Sequence, residues 1–348
     1  MDTILIQAEE LLETAVAILG KIGVPVDQAR TIASVLVQAD LRGIGSHGVL
    51  RLPAYVHKVQ CGLLETDTRL TVIEERKATV LLDAGGGFGP VAAAEAMLRA
   101  IGKAKELGMG SAAVRNASHF GIAAYYARLA VEEGLIGVVI SNAAASMAPF
   151  GGVQPMLGTN PICVGIPTGK EPAILLDMAS SVVARGKIRL AQREGKSIPE
   201  GWALDASGVP TQDPDEAIAG TLLPIGGPKG YGIALVNDIL SGILTGSPSS
   251  VEVRSVHDLK NPSPVGFFLQ AIDLSAFCDP ELFYERVDAL TENLRASERA
   301  DGVSRIYTPG EPEWERERER RENGIPIGPK VMESLRDLAD ELGVQMDL

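Results

Sequence analysis

Ser46, His47, Arg51 and Tyr55 lie close together in the sequence and carry side chains that could do chemistry. An arginine can bind a carboxylate through two parallel hydrogen bonds, and a histidine can give or take a proton near neutral pH. A capping serine beside a surface histidine explains the same spacing equally well. A serine nucleophile is disfavoured, because adjacent side chains rarely make the required hydrogen bond and the chain has no G-x-S-x-G turn.

A second histidine, His119, stands between a predicted strand and a predicted helix, in the segment from Ser118 to Gly121. Backbone N–H groups at the start of a helix are free to meet an anion, and loops at the carboxyl ends of strands often hold ligands. A capping role for Ser118 and a helix-entry role for Gly121 would explain the segment without a ligand. The residues alone leave both interpretations open.

A glycine cluster from Gly85 to Pro90 also follows a predicted strand and formally contains G-x-G-x-x-A. Such a loop can hold the pyrophosphate of a dinucleotide. The next predicted strand, however, ends at Arg115 rather than at an acid that could bind a ribose, and Pro90 fits the phosphate turn poorly. We therefore expect a tight turn here rather than a phosphate site.

The elements that must position these residues divide the chain into helical and α/β parts. Apolar residues recur at helical spacing over about 5–62, and the tail returns to helix. The stretch 230–244 is apolar on most faces and predicts a buried helix, whereas the charged stretch 315–324 predicts a solvated face. Between these helical parts, strands and helices alternate. The strand candidates are 71–75, 78–84, 111–115, 135–142, 162–167, 173–178 and 266–273.

Composition excludes several classes of function. The net charge of −13 over 348 residues repels phosphate backbones, so nucleic acid is not an expected partner. The three cysteines are far apart and the four histidines lack ligand spacing, so no metal is implied. No apolar run is long enough to cross a membrane, and the acidic start is unlike a secretory leader. We expect a cytoplasmic protein.

Ordered motifs along nearly the whole chain resemble the malate/L-lactate dehydrogenase family. This non-Rossmann family also holds sulfolactate, ureidoglycolate and diketogulonate enzymes and cyclic-imine reductases. The motifs are Ser46-His47-Gly48 with Arg51 and Tyr55, Ser118-His119-Phe120-Gly121, Gly151-Gly152, Leu157-Gly158-Thr159-Asn160-Pro161, Asp177-Met178-Ala179, Gly201-Trp202-Ala203, Pro210-Thr211, Pro228-Lys229-Gly230-Tyr231-Gly232 and Pro309-Gly310-Glu311.

The resemblance implies an α/β (α+β) fold in two lobes. A helical orthogonal-bundle lobe would comprise residues 1–70 with 312–348, and a larger mixed-sheet lobe, 71–311, would bind NAD(P) without a Rossmann fingerprint. The resemblance also implies a homodimer. These boundaries place His47 in the helical lobe and His119 in the cofactor lobe.

The resemblance also implies roles for individual residues. His47 would be the acid/base, His119 would lie beside the nicotinamide and the substrate, and Arg51 would hold the substrate carboxylate. The supporting substrate residues would be Ser46, Tyr55, Asn142 and Thr159. The cofactor residues would be His119, Phe120, Gly121, Ala143, Thr159, Asp177, Met178, Ala179, Arg185, Lys229, Arg305 and Gly310.

The implied activity is hydride transfer between NAD or NADP and C2 of a small 2-oxo or 2-hydroxy carboxylic acid. Reduction of an imino acid needs the same carboxylate anchor and remains an alternative. A catalytically silent nucleotide-binding scaffold is a third possibility. Asp177 favours NAD through the ribose diol, whereas Arg185 and Arg305 favour a 2′-phosphate. Alanines at 143–145 replace hydroxyl residues of many relatives, which favours a substrate other than malate.

Overall fold

The computed structural model describes residues 3–170 and 172–346. Helices and strands alternate through most of it, as the sequence predicts. The helices are α1 (Ala8–Lys21), α2 (Val26–Leu41), α3 (Leu52–Gln60), α4 (Gly89–Leu107), α5 (Ala123–Glu132), α6 (Arg185–Glu194), α7 (Pro214–Ala219), α8 (Pro228–Ser241), α9 (Pro280–Ala296), α10 (Glu311–Asn323) and α11 (Pro329–Leu342).

The described part of the chain has twelve strands, and seven of them form the sheet at the centre of the α/β part. The strands are β1 (Ile4–Ile6), β2 (Thr71–Glu75), β3 (Thr79–Asp83), β4 (Met109–Ala117), β5 (Leu135–Ser141), β6 (Ile162–Ile166), β7 (Ile174–Met178), β8 (Ala203–Leu204), β9 (Pro210–Thr211), β10 (Thr221–Leu222), β11 (Val265–Asp273) and β12 (Ile325–Ile327). The sheet order is β2-β3-β4-β11-β5-β6-β7, in which β3 and β4 pair in parallel and the other neighbours are antiparallel. The predicted mixed, non-Rossmann sheet is confirmed.

Small residues let α4 and α5 approach the sheet closely. Ala92, Ala96 and Ala100 on α4 are fully buried against the strands. A Cβ atom at Gly110 on β4 would lie 2.2 Å from the carbonyl oxygen of Ala100. This close packing explains a core that holds many alanines and few aromatic rings.

The helical part has its own core, built from both ends of the chain. Leu11, Leu36 and Leu335 are buried together with Ile325 in this core. The predicted helical region does not begin at residue 5, because β1 occupies Ile4–Ile6 and pairs with β12 in an antiparallel ribbon. The ribbon joins the two chain ends. The lobe boundaries at 70/71 and 311/312 remain a prediction.

The structure corrects one prediction about exposure and refines another. Helix α8 was expected to be buried, but Val236 and Ile239 are exposed while its buried residues include Ala234 and Asp238. The charged stretch 315–324 was expected to be a solvated face, and six of its ten residues are exposed, but Glu317 is buried. It forms ion pairs with Arg42, Arg128 and Arg321, because α10 packs against α2 and the carboxylate needs partners out of water.

A glycine at the start of α4 provides a test of close packing. A Cβ at Gly89 would lie 2.2 Å from the Ser118 carbonyl oxygen, so Gly89→Ala should lower the free energy of unfolding by about 1–3 kcal/mol. Gly102, on the same helix, has open space around its Cβ position. Gly102→Ala should therefore be neutral or stabilising by about 0.4–1 kcal/mol. Chemical denaturation of both variants measures the difference, and equal effects would contradict the packing argument.

Candidate active site

The histidines meet in a cleft of about 1090 Å³ between the helical core and the sheet. This volume is at the upper end of the roughly 300–1,000 Å³ usual for small-molecule sites. The predicted site residues that line the cleft are Ser46, His47, Arg51, Tyr55, His119, Phe120, Gly121, Asn142, Ala143, Thr159 and Arg185. The structure therefore brings together residues from distant parts of the sequence.

A buried aspartate shapes the turn that carries His47. Two short 3₁₀ turns, Gly45–His47 and Val49–Arg51, meet at Gly48. The Asp40 carboxylate accepts a hydrogen bond from the Val49 backbone N–H at 2.8 Å, and it occupies the space that a Cβ on Gly48 would need. A glycine is required there for this reason, and the sharp turn directs the following helix α3 along the cleft.

Contacts within this turn hold His47 and Arg51. The Ser46 hydroxyl and Nδ1 of His47 are 2.9 Å apart, contrary to the expectation that these adjacent side chains would not bond. Arg51 donates from Nε to the Ser46 carbonyl oxygen at 2.7 Å and from Nη1 to Nε2 of His257 at 3.1 Å. These bonds occupy two of the five N–H donors, the Nε hydrogen and one hydrogen of Nη1, so both hydrogens of Nη2 and the second hydrogen of Nη1 remain available to a ligand.

The hydrogen bonds around His119 define its tautomer. The Gly121 backbone N–H donates to Nδ1 of His119 at 3.3 Å, and a backbone N–H can act only as a donor. Nδ1 is therefore the acceptor, and the neutral ring carries its proton on Nε2. The Tyr55 hydroxyl also lies 2.9 Å from Nδ1 and is buried. Tyr55 lines the cleft and contacts His119, and its predicted role in substrate binding stays a prediction.

His47 and His119 both favour the neutral form. Burial, reinforced by the charge of Arg51, lowers the pKa of His47 to about 4. Burial also lowers the pKa of His119 well below its usual range, with a smaller contribution from His47. The two rings stack with centroids 5.5 Å apart. At neutral pH the cleft therefore presents two uncharged imidazoles side by side.

The cleft is basic although the whole chain is acidic. The charged side chains on its described lining are the cations Arg51, Lys58, Arg185, Arg189 and Arg254, and the single carboxylate Asp258. Cations in a concave site attract anions of low molecular mass. The donor set therefore fits both a dinucleotide pyrophosphate and an organic acid.

Two of the predicted residues that line the cleft use some of their polar atoms in the fold. The Asn142 amide donates to the Pro248 carbonyl oxygen and accepts from the Gly266 N–H, so it holds strand ends together. The Thr159 carbonyl oxygen accepts from the Ser180 N–H. Asn142 and Thr159 therefore shape the wall of the cleft.

Other predicted cofactor residues are not on the lining, and packing explains several of them. Asp177 accepts a hydrogen bond from the Ala124 N–H at the start of α5. Arg305 forms ion pairs with Glu311 and Glu315. A Cβ on Gly310 would contact the backbone of Leu175. The predicted cofactor residues that the structure does not bring to the cleft are Asp177, Met178, Ala179, Lys229, Arg305 and Gly310.

The glycine cluster forms a tight turn, as expected. Gly86 and Gly87 donate their N–H groups to the carbonyl oxygens of Asn116 and Ala84. The N–H groups of the rest of the turn bond to Asp83, Thr68 and Ser118 side chains. Because no N–H from 85 to 89 is left for a phosphate, the turn supports the neighbouring His119 loop instead.

Sequence reasoning missed several basic residues of the cleft. Lys58 lies on α3, three residues after Tyr55, and helical spacing could have identified it. Arg189 lies on α6, while Arg254 and His257 come from the segment before β11. That segment has no helical or strand periodicity, so its return to the cleft depends on tertiary structure.

Comparisons with known proteins give one consistent result. The family model described as malate/L-lactate dehydrogenase matches residues 6–336. A malate dehydrogenase from Pyrococcus abyssi is 41% identical, over 98% of this chain and 95% of that protein. An L-sulfolactate dehydrogenase from Methanocaldococcus jannaschii is 39% identical, over 99% and 98%. A solved structure of sulfolactate dehydrogenase from Methanocaldococcus jannaschii matches with a TM-score of 0.93 and 38% identity, over 99% of each chain.

Proposed function

The chain belongs to the malate/L-lactate dehydrogenase family, and from that premise we propose which residues perform its reaction. The protein is an NAD(P)-dependent oxidoreductase of 2-hydroxy acids. The observation that carries the assignment is the pair of stacked neutral histidines beside an arginine with a free hydrogen-bonding edge. A carbonyl reduction needs these groups: an anchor for the acid and a proton donor at the oxygen.

The nicotinamide half of the cofactor would lie against the loop of His119, Phe120 and Gly121. Arg185 would contact a phosphate, and the wall near Ala143 and Thr159 would enclose the ring. When bound, the nicotinamide supplies or accepts the hydride at C2 of the acid. The protein's part is to orient the acid and to manage the proton.

Arg51 would bind the C1 carboxylate of the substrate. Its Nε and one hydrogen of Nη1 are fixed by Ser46 and His257, so the remaining edge approaches the ligand in a defined orientation. Two parallel hydrogen bonds from a guanidinium to a carboxylate are short and charge-assisted. This anchor would place C2 beside the two imidazoles.

The two histidines would have different tasks. In the alcohol-oxidising direction, His47 would take the hydroxyl proton on Nε2, and its Nδ1–H would donate to the Ser46 oxygen, the direction that we propose for this 2.9 Å contact. His119 would donate its Nε2–H to the same substrate oxygen, since its Nδ1 accepts from Gly121. In the reducing direction His47 would return the proton. The substrate carboxylate would offset the charge of Arg51 and raise the pKa of His47 toward the working range.

Substitution of His47 tests this assignment. His47→Gln should lower kcat by about 10²–10⁴-fold, because glutamine cannot transfer the proton. Binding of NADH or NADPH, measured by nicotinamide fluorescence, should be retained. The matched control is His57→Gln on α3, because His57 is not on the cleft lining and should tolerate the change. Unchanged kcat in His47→Gln would remove His47 from the reaction.

We also propose that the protein is a cytoplasmic homodimer. Helix α8 and the turn after it expose a row of large apolar residues, which is unusual for a surface that stays in water. These residues are Ile233, Val236, Ile239, Ile243 and Leu244. A second copy of the chain would cover this row in a symmetric contact.

The three cysteines are unpaired, as expected in a reducing compartment. Among the described helices, none is long and apolar enough to span a bilayer.

A charged substitution in this row tests the dimer. Val236→Asp should shift the mass in analytical ultracentrifugation from that of two chains toward that of one, because the interface would have to bury an unpaired carboxylate. Leu98→Asp is the control, since Leu98 is similarly exposed on a different helix, α4. A wild-type protein with the mass of a single chain would contradict the proposal.

A further inference from the structure

A buried lysine in the cleft has no function in the reaction described above. Lys58 lies on α3 and is only 3% exposed, yet it is part of the cleft lining. Its Nζ donates to the Ser263 hydroxyl at 2.6 Å. No carboxylate of the residues that the structure describes forms an ion pair with it, and Asp258 acts on it only from a longer range.

An ammonium group in this position is costly to the folded protein. Burial lowers the pKa of Lys58 because the charged form loses its water. A serine hydroxyl is a neutral partner, so the positive charge has no counter-charge in direct contact. A second anion in the cleft would provide that counter-charge and would gain from the low local dielectric.

The placement of Lys58 and Arg51 suits an acid with an anion at each end. Seven residues separate them, and residues at this spacing share one face of a helix, so both side chains line the same cleft. The anionic groups of a four-carbon diacid are about 4–5 Å apart, so one molecule has a charged group for each of the two cations. Tyr55 lies between them with its hydroxyl turned to His119.

We propose that Lys58 is a specificity-determining residue: it binds a second anionic group on the substrate and so selects dianionic 2-hydroxy acids over monoanionic ones. The class comprises acids whose second anionic group, a carboxylate or a sulfonate, is attached to C3 or to C4. The inference rests on the proposed placement of the C1 carboxylate on Arg51. Ser263 would orient the ammonium group toward the ligand.

Other basic groups around the cleft support the same class. Arg189 is exposed on α6 and close enough to Arg51 and His257 to lower their pKa values. His257 accepts a hydrogen bond from Arg51, so its Nε2 carries no proton. The positive potential at this end of the cleft exceeds what one carboxylate neutralises, and it would draw a dianion inward.

Steady-state kinetics with paired substrates provides the test. Oxaloacetate and sulfopyruvate are dianionic, whereas 4-methyl-2-oxopentanoate has the shape of oxaloacetate with methyl groups in place of the distal oxygens. With NADH or NADPH as the reductant, we expect kcat/KM of the wild-type protein to favour the dianions by roughly 100-fold or more. Equal values for both charge classes would overturn the proposal while leaving hydride transfer to 2-oxo acids intact.

Three variants separate binding of the second anion from a structural role. Lys58→Met keeps the aliphatic stem, and we expect the dianion-to-monoanion ratio of kcat/KM to fall roughly 100-fold. Lys58→Arg retains the charge and should keep most of the ratio. Lys21→Met, on the exposed end of α1, is the matched control and should not change it. Thermal unfolding of each variant checks that the fold is retained.

The possible outcomes separate a failure of the Lys58 proposal from a failure of the proposed dehydrogenase function. If Lys58→Met lowers kcat/KM equally for dianions and monoanions, the lysine is structural and the proposal is wrong. If the wild-type protein reduces neither dianionic nor monoanionic 2-oxo acids with NADH or NADPH, the proposed catalytic arrangement itself is wrong. A selective loss for the dianions in Lys58→Met, restored in Lys58→Arg, is the result that supports the assignment.

Discussion

The hydroxyl of Tyr55 and Nδ1 of His119 meet at 2.9 Å across the boundary between the helical core and the sheet. The rest of the site depends on this contact. Tyr55 is buried in the helical core, with its ring edge against Phe88, while His119 stands in the loop after β4. A hydrogen bond between buried groups is costly to leave unmade, so the two parts of the molecule are held in one relative position. That position places His47 against His119.

Close packing makes this arrangement possible. The missing side chain at Gly89 leaves space for the backbone of the His119 loop, and that at Gly48 leaves space for the Asp40 carboxylate. The small alanines of α4 let this helix pack closely against the sheet. Any larger side chain at these glycines would push apart elements that carry the site. The buried Glu317 pairs with Arg42 at the end of α2 and with Arg128 on α5, so ion pairs join α10 to both helices. The cleft interrupts this dense packing, and basic side chains line it.

Much of the fold could be predicted from the sequence, because several of the seven strand candidates are rich in β-branched residues and turn residues bound them. The short strands of the ribbon and the exposed face of α8 could not. A three-residue strand such as Ile4–Ile6 has too few residues to show a period, and an apolar helix has the same sequence pattern whether a core or another subunit covers it. The turn residues of the site, Ser46 to Arg51, were found from chemistry and resemblance. Lys58 and His257 were missed, since their importance comes from burial and from a contact 206 residues apart along the chain.

The central proposal is that His47 and His119 stand side by side as two neutral imidazoles, with the proton on Nε2 of His119 and on Nδ1 of His47. Nitrogen NMR of protein labelled with ¹⁵N-histidine tests it directly, because protonated and unprotonated ring nitrogens give distinct chemical shifts. At neutral pH we expect His119 to carry its proton on Nε2 alone and His47 on Nδ1 alone, with assignments made from the corresponding glutamine variants. An imidazolium signal from either residue at neutral pH, or a proton on Nδ1 of His119, would contradict the account.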